Sequence, residues 1–242
     1  MRNNPERLSV IIPAYNEADH IGRCLLETAK ALEGWDWEII VVDDGSQDGT
    51  ADQVRQVVAQ VGKIRLMEYG QNAGKGHALR YGFSGASGDL VAFLDADLDL
   101  HPRQILSLVD VLQREQAHVV IGSKRHPQSR LSYPLHRRLL SDVYYLIVRL
   151  LFGLPVRDTQ TGIKVFRREV LEQVLPKLVV KRFAFDLELL VVTHLLGFAI
   201  REAPIQLDFQ RRFGRIHLSD VRNVWVDTMA IFYRRYILRY YG

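Results

Sequence analysis

The chain has 242 residues, of which 48% are hydrophobic and 25% are charged, which is typical of a globular protein with a full core. Its net charge of +4 favours anionic partners, namely nucleic acid, phosphate-bearing substrates or a membrane surface. The lone cysteine, Cys24, excludes an internal disulfide and fits a reducing compartment. Because Ile21, Leu25 and Leu32 flank it at helical spacing, we predict a core position for Cys24 rather than a nucleophile.

The apolar runs are too short to predict a signal peptide or a transmembrane helix. The first run covers only Leu8 to Ile12. The longest, Leu139 to Leu154, is interrupted by Ser141, Asp142 and Arg149, and it falls short of the roughly 20 apolar residues that span a bilayer. We therefore expect a cytoplasmic protein that is either soluble or peripheral on the cytoplasmic face of a membrane.

The first half of the chain alternates short apolar runs with amphipathic stretches, which predicts βα units and a mainly parallel sheet. The predicted strands are Leu8–Ile12, Glu38–Val42, Ile64–Glu68 and a run that begins at Val91. A glycine-rich loop, Gly70–Gly76, precedes the third predicted helix. Ligands of such sheets bind outside the carboxyl ends of the strands, so we expect the site there.

The fourth predicted strand ends in three acids set two residues apart, Asp95, Asp97 and Asp99. Alternate side chains of an extended strand share a face, so Asp95 and Asp97 should point the same way, joined by Asp99 if the strand persists. Carboxylates held this close repel unless a cation lies between them, and hard divalent ions prefer oxygen ligands. Spacing alone leaves two interpretations open, a metal site and an acidic turn that closes the strand.

The second half is organised differently. Its predicted elements are a strand at Val119–Ile121, helices at Leu139–Leu151, Arg168–Val174 and Phe185–Leu196, an extended segment at Ala199–Phe209 and an arginine-aromatic tail at Ser219–Tyr241. No repeat or linker is visible, so we expect one domain. Its first half would cover about residues 1–122 and its second half about residues 123–242.

Two groups of basic residues are candidates for phosphate binding. Lys75 lies in a Gly-Lys-Gly sequence that fits neither a phosphate loop nor a dinucleotide fingerprint, yet it could reach a diphosphate from a helix start. Arg137 and Ser141 lie four residues apart on one predicted helix face, with Lys124 and Arg125 upstream. These four could bind a second phosphate, or they could belong to an ordinary solvated basic surface.

Three motifs occur in order at predicted strand ends: Val10–Glu17 (VIIPAYNE), Val41–Ser46 (VVDDGS) and Asp95–Asp97 (DAD). With them the chain resembles a family 2 glycosyltransferase, from Leu8 to His217. This resemblance implies an α/β GT-A fold, a Rossmann-like nucleotide-diphospho-sugar transferase fold with a central mixed, mainly parallel sheet. Further segments are similar to those of the dolichyl-phosphate mannose and glucose synthases: Gly74–Gly76, Asp158–Gly162 and Phe185–Leu190.

The resemblance implies three sets of site residues. With Lys75, the expected nucleotide-binding set is Pro13, Tyr15, Glu17, Val42, Asp44, Ala96, Arg211 and His217. The catalytic pair that binds metal and diphosphate is expected to be Asp95 and Asp97, with Asp99 as a third metal ligand. The acceptor-phosphate set is expected to be Lys124, Arg137 and Ser141. His217 stands where the family usually has a lysine that neutralises phosphate.

The resemblance therefore implies an inverting, metal-dependent transfer of a hexose from UDP-glucose or GDP-mannose to a polyprenyl (dolichyl or undecaprenyl) phosphate. Mg²⁺ or Mn²⁺ on Asp95 and Asp97 would offset charge on the leaving nucleotide. An acceptor phosphate is already anionic, so positioning and electrostatics replace a strong base. A membrane surface is an expected partner of the Leu139–Leu154 helix and the tail, although both could be core helices; a separate membrane subunit is the alternative.

Two rival hypotheses remain. The same fold could act on a soluble saccharide or a protein hydroxyl, which would need a base such as Asp186 or Glu188. The chain could instead be a non-enzymatic nucleotide-binding or nucleic-acid-binding module. Nucleic acid is disfavoured because the basic residues are scattered and no recognised binding motif occurs.

Overall fold

The structure is a computed structural model that describes residues 6–131, 135–181, 184–207 and 218–242. Within these ranges, the side chains of residues 131, 135–141 and 218–221 are not described. The strands are β1 (Leu8–Ala14), β2 (Trp37–Asp43), β3 (Ile64–Glu68), β4 (Leu90–Leu94), β5 (Val119–Ser123), β6 (Arg130–Leu131), β7 (Ile163–Arg167), β8 (Ile200–Pro204) and β9 (Gln206–Leu207). The helices are α1 (Ala18–Ala31), α2 (Thr50–Val58), α3 (Lys75–Gly85), α4 (Gln104–Arg114), α5 (Leu135–Phe152), α6 (Arg168–Val174), α7 (Phe185–Leu195) and α8 (Leu218–Tyr236).

Seven strands form one sheet in the order β3-β2-β1-β4-β7-β5-β8, and β6 pairs with β9 separately. Strand β7 runs antiparallel to both of its neighbours, β4 and β5, whereas every other pair in the seven-stranded sheet is parallel. The predicted mixed, mainly parallel sheet is therefore confirmed.

The central strands are buried on both faces, as parallel strands covered by helices must be. All seven residues of β2 are buried. Along β1 the side chains alternate, so that Val10 and Ile12 pack towards α1, α2 and α4, while Ile11 packs towards α3, α6 and α7. The fold is thus a sheet between two helical layers.

Cys24 occupies the core position that its helical spacing predicts. It lies on α1 and is fully buried in the first of the two helical layers. Burial raises the pKa of its thiol to about 12, so the thiolate needed for nucleophilic chemistry is disfavoured.

The order of the strands determines where ligands can enter. The chain leaves β1 for β2 and β3 on one side, then returns to β4 on the other side of β1. The loops that follow β1 and β4 therefore diverge and leave a crevice at the carboxyl ends of these strands, which is the usual ligand site of such sheets.

Several element boundaries differ from the predicted ones. Helix α5 begins at Leu135 rather than Leu139, and the extended segment from Ala199 divides into β8 and β9. Within the described ranges, none of the helices has the length and apolar character needed to cross a membrane.

Candidate active site

A cavity of about 530 Å³ opens at the carboxyl ends of β1, β2 and β4. Most of the predicted site residues meet there. The lining residues from the predicted nucleotide set are Pro13, Tyr15, Glu17, Asp44, Lys75 and Ala96, and both acids of the predicted catalytic pair, Asp95 and Asp97, join them. The others are Ala14, Asn72, Gly74, Gln160 and Asp186.

The loop after β1 is tied to the loop after β2 by hydrogen bonds. Asn16 adopts a left-handed backbone (φ 54°), which asparagine tolerates better than most residues. Its amide donates to Ser46 Oγ at 2.9 Å, and its Oδ1 accepts from the Gln47 amide at 3.0 Å. The Glu17 amide donates to Thr50 Oγ1 at 2.8 Å. These bonds fix the backbone that presents Tyr15 and Glu17 at the cavity.

Asp44 organises the glycine-rich loop. Its buried carboxylate accepts from the hydroxyl of Tyr69 at 2.8 Å and from the side-chain amide of Asn72 at 3.0 Å. It also accepts from the backbone amides of Ala73 and Gly74, at 2.7 and 2.9 Å. Asp44, a member of the predicted nucleotide-binding set, therefore lines the cavity with both of its oxygens already engaged by the loop.

The acidic stretch after β4 is a turn, so the strand does not persist to Asp99, which was the condition for Asp99 to share a face with the other two acids. Strand β4 ends at Leu94, and the buried Leu98 adopts a left-handed backbone (φ 61°), which is rare for a bulky residue. The turn still brings Asp95 and Asp97 to one cavity. Asp99 is not among the lining residues, and its amide donates to Asp97 Oδ1 at 3.1 Å.

The expected three-carboxylate metal set is not formed. Across the described residues, no group of three or more Asp, Glu, His or Cys side chains is placed to bind one ion together. Two carboxylates, Asp95 and Asp97, nevertheless line the cavity, and Mg²⁺ commonly binds through one or two carboxylates plus substrate phosphates. This pair fits a metal that arrives with a diphosphate.

Lys75, at the start of α3, lies between two carboxylates. Its Nζ is 2.6 Å from Asp95 Oδ1 and 3.7 Å from Asp186 Oδ2. Burial lowers the pKa of the Lys75 ammonium, but Asp95 and Asp186 outweigh that effect and hold the pKa above its ordinary value. The predicted diphosphate-binding lysine is therefore a firmly charged cation at the cavity.

A second lysine, buried in the core, binds the carboxylate of Asp186. Lys164 on β7 is 1% exposed, and its Nζ donates to Asp186 Oδ1 at 2.8 Å and to the backbone oxygen of Thr161. Burial raises the pKa of the Asp186 carboxyl, but Lys164 and Lys75 together lower it below its ordinary value. Charges of alternating sign thus run from Lys164 through Asp186 and Lys75 to Asp95.

The predicted acceptor residues are only partly described. Lys124 borders a small pocket that also holds Arg125, Arg157 and Asp158, and this pocket shares Gln160 with the main cavity. Lys124 Nζ lies 3.9 Å from Asp158 Oδ2. Arg137 and Ser141 lie on α5, but their side chains are outside the described residues, and Arg211 and His217 lie outside them entirely.

Two further predictions need correction. Val42 is fully buried in the core and does not line the cavity, because the side chains of β2 alternate between the two helical layers. Glu188, considered as a base for a hydroxyl acceptor, is also fully buried. It accepts hydrogen bonds from Tyr241 Oη and from Arg234 at 2.5 and 3.0 Å, so it serves the C-terminal packing rather than the cavity.

Sequence reasoning missed Asn72, Gln160, Gly162 and Lys164 as parts of the site. Gln160 and Gly162 belong to the Asp158–Gly162 turn, which packs against the end of β4 through a hydrogen bond from the Asp95 amide to the Gly162 oxygen (3.0 Å). The available signal for Lys164 was its place in a short apolar run between Ile163 and Val165, since a buried lysine requires a partner.

Comparison with known proteins shows similarity to glycosyltransferases. Residues 9–175 match the family described as Glycosyl transferase family 2. The chain is 33% identical to the dolichyl-phosphate beta-glucosyltransferase ALG5A of Trichomonas vaginalis, over 94% of this chain and 74% of that protein.

Solved structures share the fold. Glucosyl-3-phosphoglycerate synthase from Mycobacterium tuberculosis, in complex with Mn²⁺, UDP and glucosyl-3-phosphoglycerate, aligns with a TM-score of 0.70 at 21% identity, over 95% of this chain and 80% of that one. A mannosyltransferase from Pyrobaculum calidifontis, in complex with GDP-Man and Mn²⁺, aligns with a TM-score of 0.65 at 21% identity, over 97% and 65% of the two chains. The sheet, the cavity at its carboxyl edge and the family match agree: this chain is a GT-A glycosyltransferase that belongs to glycosyl transferase family 2.

Proposed function

We propose that this glycosyltransferase moves a hexose from a nucleotide sugar to a polyprenyl phosphate in one inverting, metal-dependent displacement. The observation that carries this proposal is the pairing of an acidic cavity with a basic pocket beside it. The cavity contains Asp95 and Asp97, the pocket contains Lys124 and Arg157, and Gln160 borders both. Such a site has cation-binding groups on one side and anion-binding groups on the other.

The donor is proposed to bind in the main cavity. A volume of about 530 Å³ is in the range of small-molecule sites, and Lys75 at the start of α3 offers a cation to a diphosphate. We propose UDP-glucose as the donor, ahead of GDP-mannose. The name of the Trichomonas relative, a dolichyl-phosphate beta-glucosyltransferase, supports a glucosyl group and a dolichyl acceptor.

A divalent ion, Mg²⁺ or Mn²⁺, is proposed to bind Asp95 and Asp97 together with the diphosphate. Both structural neighbours described above contain Mn²⁺, which supports a metal in general. When bound, the ion would offset the negative charge that develops on the leaving nucleotide. Asp95 is held in position by the hydrogen bond from its backbone amide to the Gly162 oxygen and by its ion pair with Lys75.

The acceptor is proposed to be a phosphate because neither side chain considered as a base, Asp186 or Glu188, is suited to deprotonate a hydroxyl acceptor. Asp186 faces the cavity, but Lys164 and Lys75 stabilise its ionised form and weaken it as a base. Glu188 is buried elsewhere. A hydroxyl acceptor would require deprotonation, whereas a phosphate oxygen is already anionic, so positioning by the basic pocket suffices.

A membrane surface is proposed as the place where the lipid acceptor is met. Helices α5 and α8 pack side by side, with Tyr144 Oη 3.2 Å from Thr228 Oγ1. Both leave large apolar side chains exposed: Val143, Leu146 and Leu150 on α5, and Trp225, Val226, Met229 and Tyr233 on α8. Exposed arginines on the same helices suit anionic lipid headgroups.

The test is a transfer assay with the purified chain. UDP-glucose and GDP-mannose would each be offered with Mn²⁺ to dolichyl phosphate, to undecaprenyl phosphate and to soluble saccharides. We expect a polyprenyl-phosphate product that is lost on chelation and restored by Mn²⁺ or Mg²⁺, with inverted anomeric configuration by NMR. Transfer only to soluble saccharides would instead support the rival acceptor class, and the absence of any transfer or donor hydrolysis would contradict the proposal.

A further inference from the structure

Lys75 shares a carboxylate oxygen with the proposed metal site. Its Nζ lies 2.6 Å from Asp95 Oδ1, which is closer than its 3.7 Å distance to Asp186 Oδ2. Asp95 and Asp97 line the same cavity, and their charges repel each other. The Lys75 ammonium group therefore offsets the charge of Asp95, as a bound cation would.

Lys75 also has a second carboxylate available. Asp186 Oδ2 is 3.7 Å from its Nζ, beyond a direct hydrogen bond but close enough for a small movement to form one. Asp186 cannot easily follow Lys75, because the buried Lys164 holds its other oxygen at 2.8 Å. The fixed Asp186 thus offers a stationary alternative position for a movable lysine.

We propose that Lys75 is an internal counter-ion that occupies Asp95 until donor and metal arrive, and then transfers to Asp186 and the donor diphosphate. This inference rests on the proposed metal-dependent function. Lys75 and a divalent cation cannot both lie against the same Asp95 oxygen without strong repulsion. A metal ion alone leaves Lys75 only the single carboxylate of Asp186, whereas a metal that comes with a diphosphate brings a second anion that receives it.

The consequence is a coupling between the two ligands. Lys75 weakens binding of the metal alone and strengthens binding of the nucleotide, so metal and nucleotide should favour each other's binding by more than their direct contact provides. The site would therefore stay largely free of metal without donor and would load both together.

The test measures Mn²⁺ binding by electron paramagnetic resonance, without and with UDP, in the wild-type chain and in Lys75→Met. We expect Lys75→Met to bind Mn²⁺ alone about tenfold more tightly, and to show weaker coupling between Mn²⁺ and UDP. Lys30→Met is the matched control, because Lys30 is exposed at the end of α1 remote from the cavity and its loss changes net charge equally. We expect its Mn²⁺ affinity to equal that of the wild type.

A second variant gives an effect of opposite sign. Asp186→Asn removes the alternative carboxylate, so Lys75 should hold Asp95 more firmly and Mn²⁺ alone should bind more weakly. An unchanged or weaker Mn²⁺ affinity in Lys75→Met, in a chain that circular dichroism shows to be folded, would overturn the counter-ion role. If the wild type binds no Mn²⁺ even with UDP, the metal-dependent function itself fails, and the two failures are thereby distinguished.

Discussion

Gly162 lies directly against Asp95. A methyl group on Gly162 would lie 2.5 Å from Cγ of Asp95 and would overlap its carboxylate, and the Asp95 amide donates to the Gly162 carbonyl at 3.0 Å. A distance this short is never tolerated by real Cβ atoms without movement. The Asp158–Gly162 turn therefore determines the orientation of an acid that the sequence assigns to a different motif.

Replacing Gly162 by alanine should displace Asp95 and thereby weaken metal and donor binding. We expect Gly162→Ala to lower kcat/KM for sugar transfer about tenfold or more, equivalent to about 1.4 kcal/mol of lost transition-state stabilisation. The matched control is Gly62→Ala, since no atom lies within 4 Å of the position of a Cβ there. Kinetics within about twofold of wild type in Gly162→Ala would show that Asp95 is not held by this contact.

Asp97 is the second carboxylate of the proposed metal pair. Asp97→Ala should abolish transfer, with a loss of about a hundredfold or more, because it removes one of the two carboxylates proposed to bind the metal. The measurement is transfer rate together with Mn²⁺ affinity in the presence of UDP. Asp110→Asn, an exposed acid on α4, is the surface control. Activity near that of the wild type would rule out the assignment of Asp97 to the metal.

Asp44 should be needed for stability as well as for ligand binding, because it holds the glycine-rich loop. Asp44→Asn replaces an oxygen that accepts from loop donors by an amide group that itself donates, so we expect a loss of about 2–3 kcal/mol in the free energy of unfolding. Tyr69→Phe removes one hydrogen bond, at 2.8 Å, and should cost about 1 kcal/mol.

Urea denaturation measures both effects, and calorimetric titration with UDP measures the effect on binding. Asp52→Asn, an exposed acid on α2, should change stability by less than about 0.5 kcal/mol. If Asp44→Asn were as stable as the wild type and lost only UDP affinity, the carboxylate would serve the nucleotide rather than the loop.

The strand-end motifs made the main cavity predictable from sequence. Apolar runs that end in Tyr15–Glu17, Asp43–Asp44 and Asp95–Asp97 must lie at one edge of a parallel sheet, and the structure brings residues of all three to one cavity. That inference needs only the period of the strands and the polarity of their ends.

The parts that escaped prediction depend on contacts between distant segments. Lys164 meets Asp186, 22 residues later, because β7 inserts antiparallel between β4 and β5. The acidic turn was one of two interpretations left open, and its left-handed residue, Leu98, could not be located because no glycine or asparagine marks that position. Val42 was assigned from the resemblance and not from the alternation of β2, and its side chain packs in the layer of α3, α6 and α7.

Glu38 should make stability depend on pH. It is buried and accepts from Ser9 Oγ at 2.7 Å, from the Ser87 amide at 2.7 Å and from Arg65 at 2.6 Å. Burial opposes ionisation, but these partners outweigh it and lower the pKa of the carboxyl from 4.5 to about 2. Because the folded pKa is the lower one, this stabilisation is complete above pH 4.5 and is lost as pH falls towards 2.

Glu38→Gln should therefore destabilise the protein by about 2 kcal/mol at neutral pH and flatten the dependence of stability on pH in that acid range. Urea denaturation at a series of pH values from neutral to acid measures this. Glu33→Gln, at an exposed residue that follows α1, is the control. A variant that keeps the pH slope of the wild type below pH 4.5 would show that Glu38 does not carry the effect.

The apolar rows on α5 and α8 should mediate binding to membranes. Leu150 is 77% and Leu146 54% exposed, which is costly in water but favourable at a lipid interface. In flotation with anionic liposomes, Leu146→Glu/Leu150→Glu should lower the bound fraction about tenfold, because each glutamate removes apolar contact and adds repulsion from anionic lipid. Leu26→Glu, on α1 in the opposite helical layer and 47% exposed, should bind like the wild type. Equal flotation of all three proteins would place the membrane contact elsewhere, and the absence of flotation by the wild type would contradict a membrane-bound acceptor met by this chain alone.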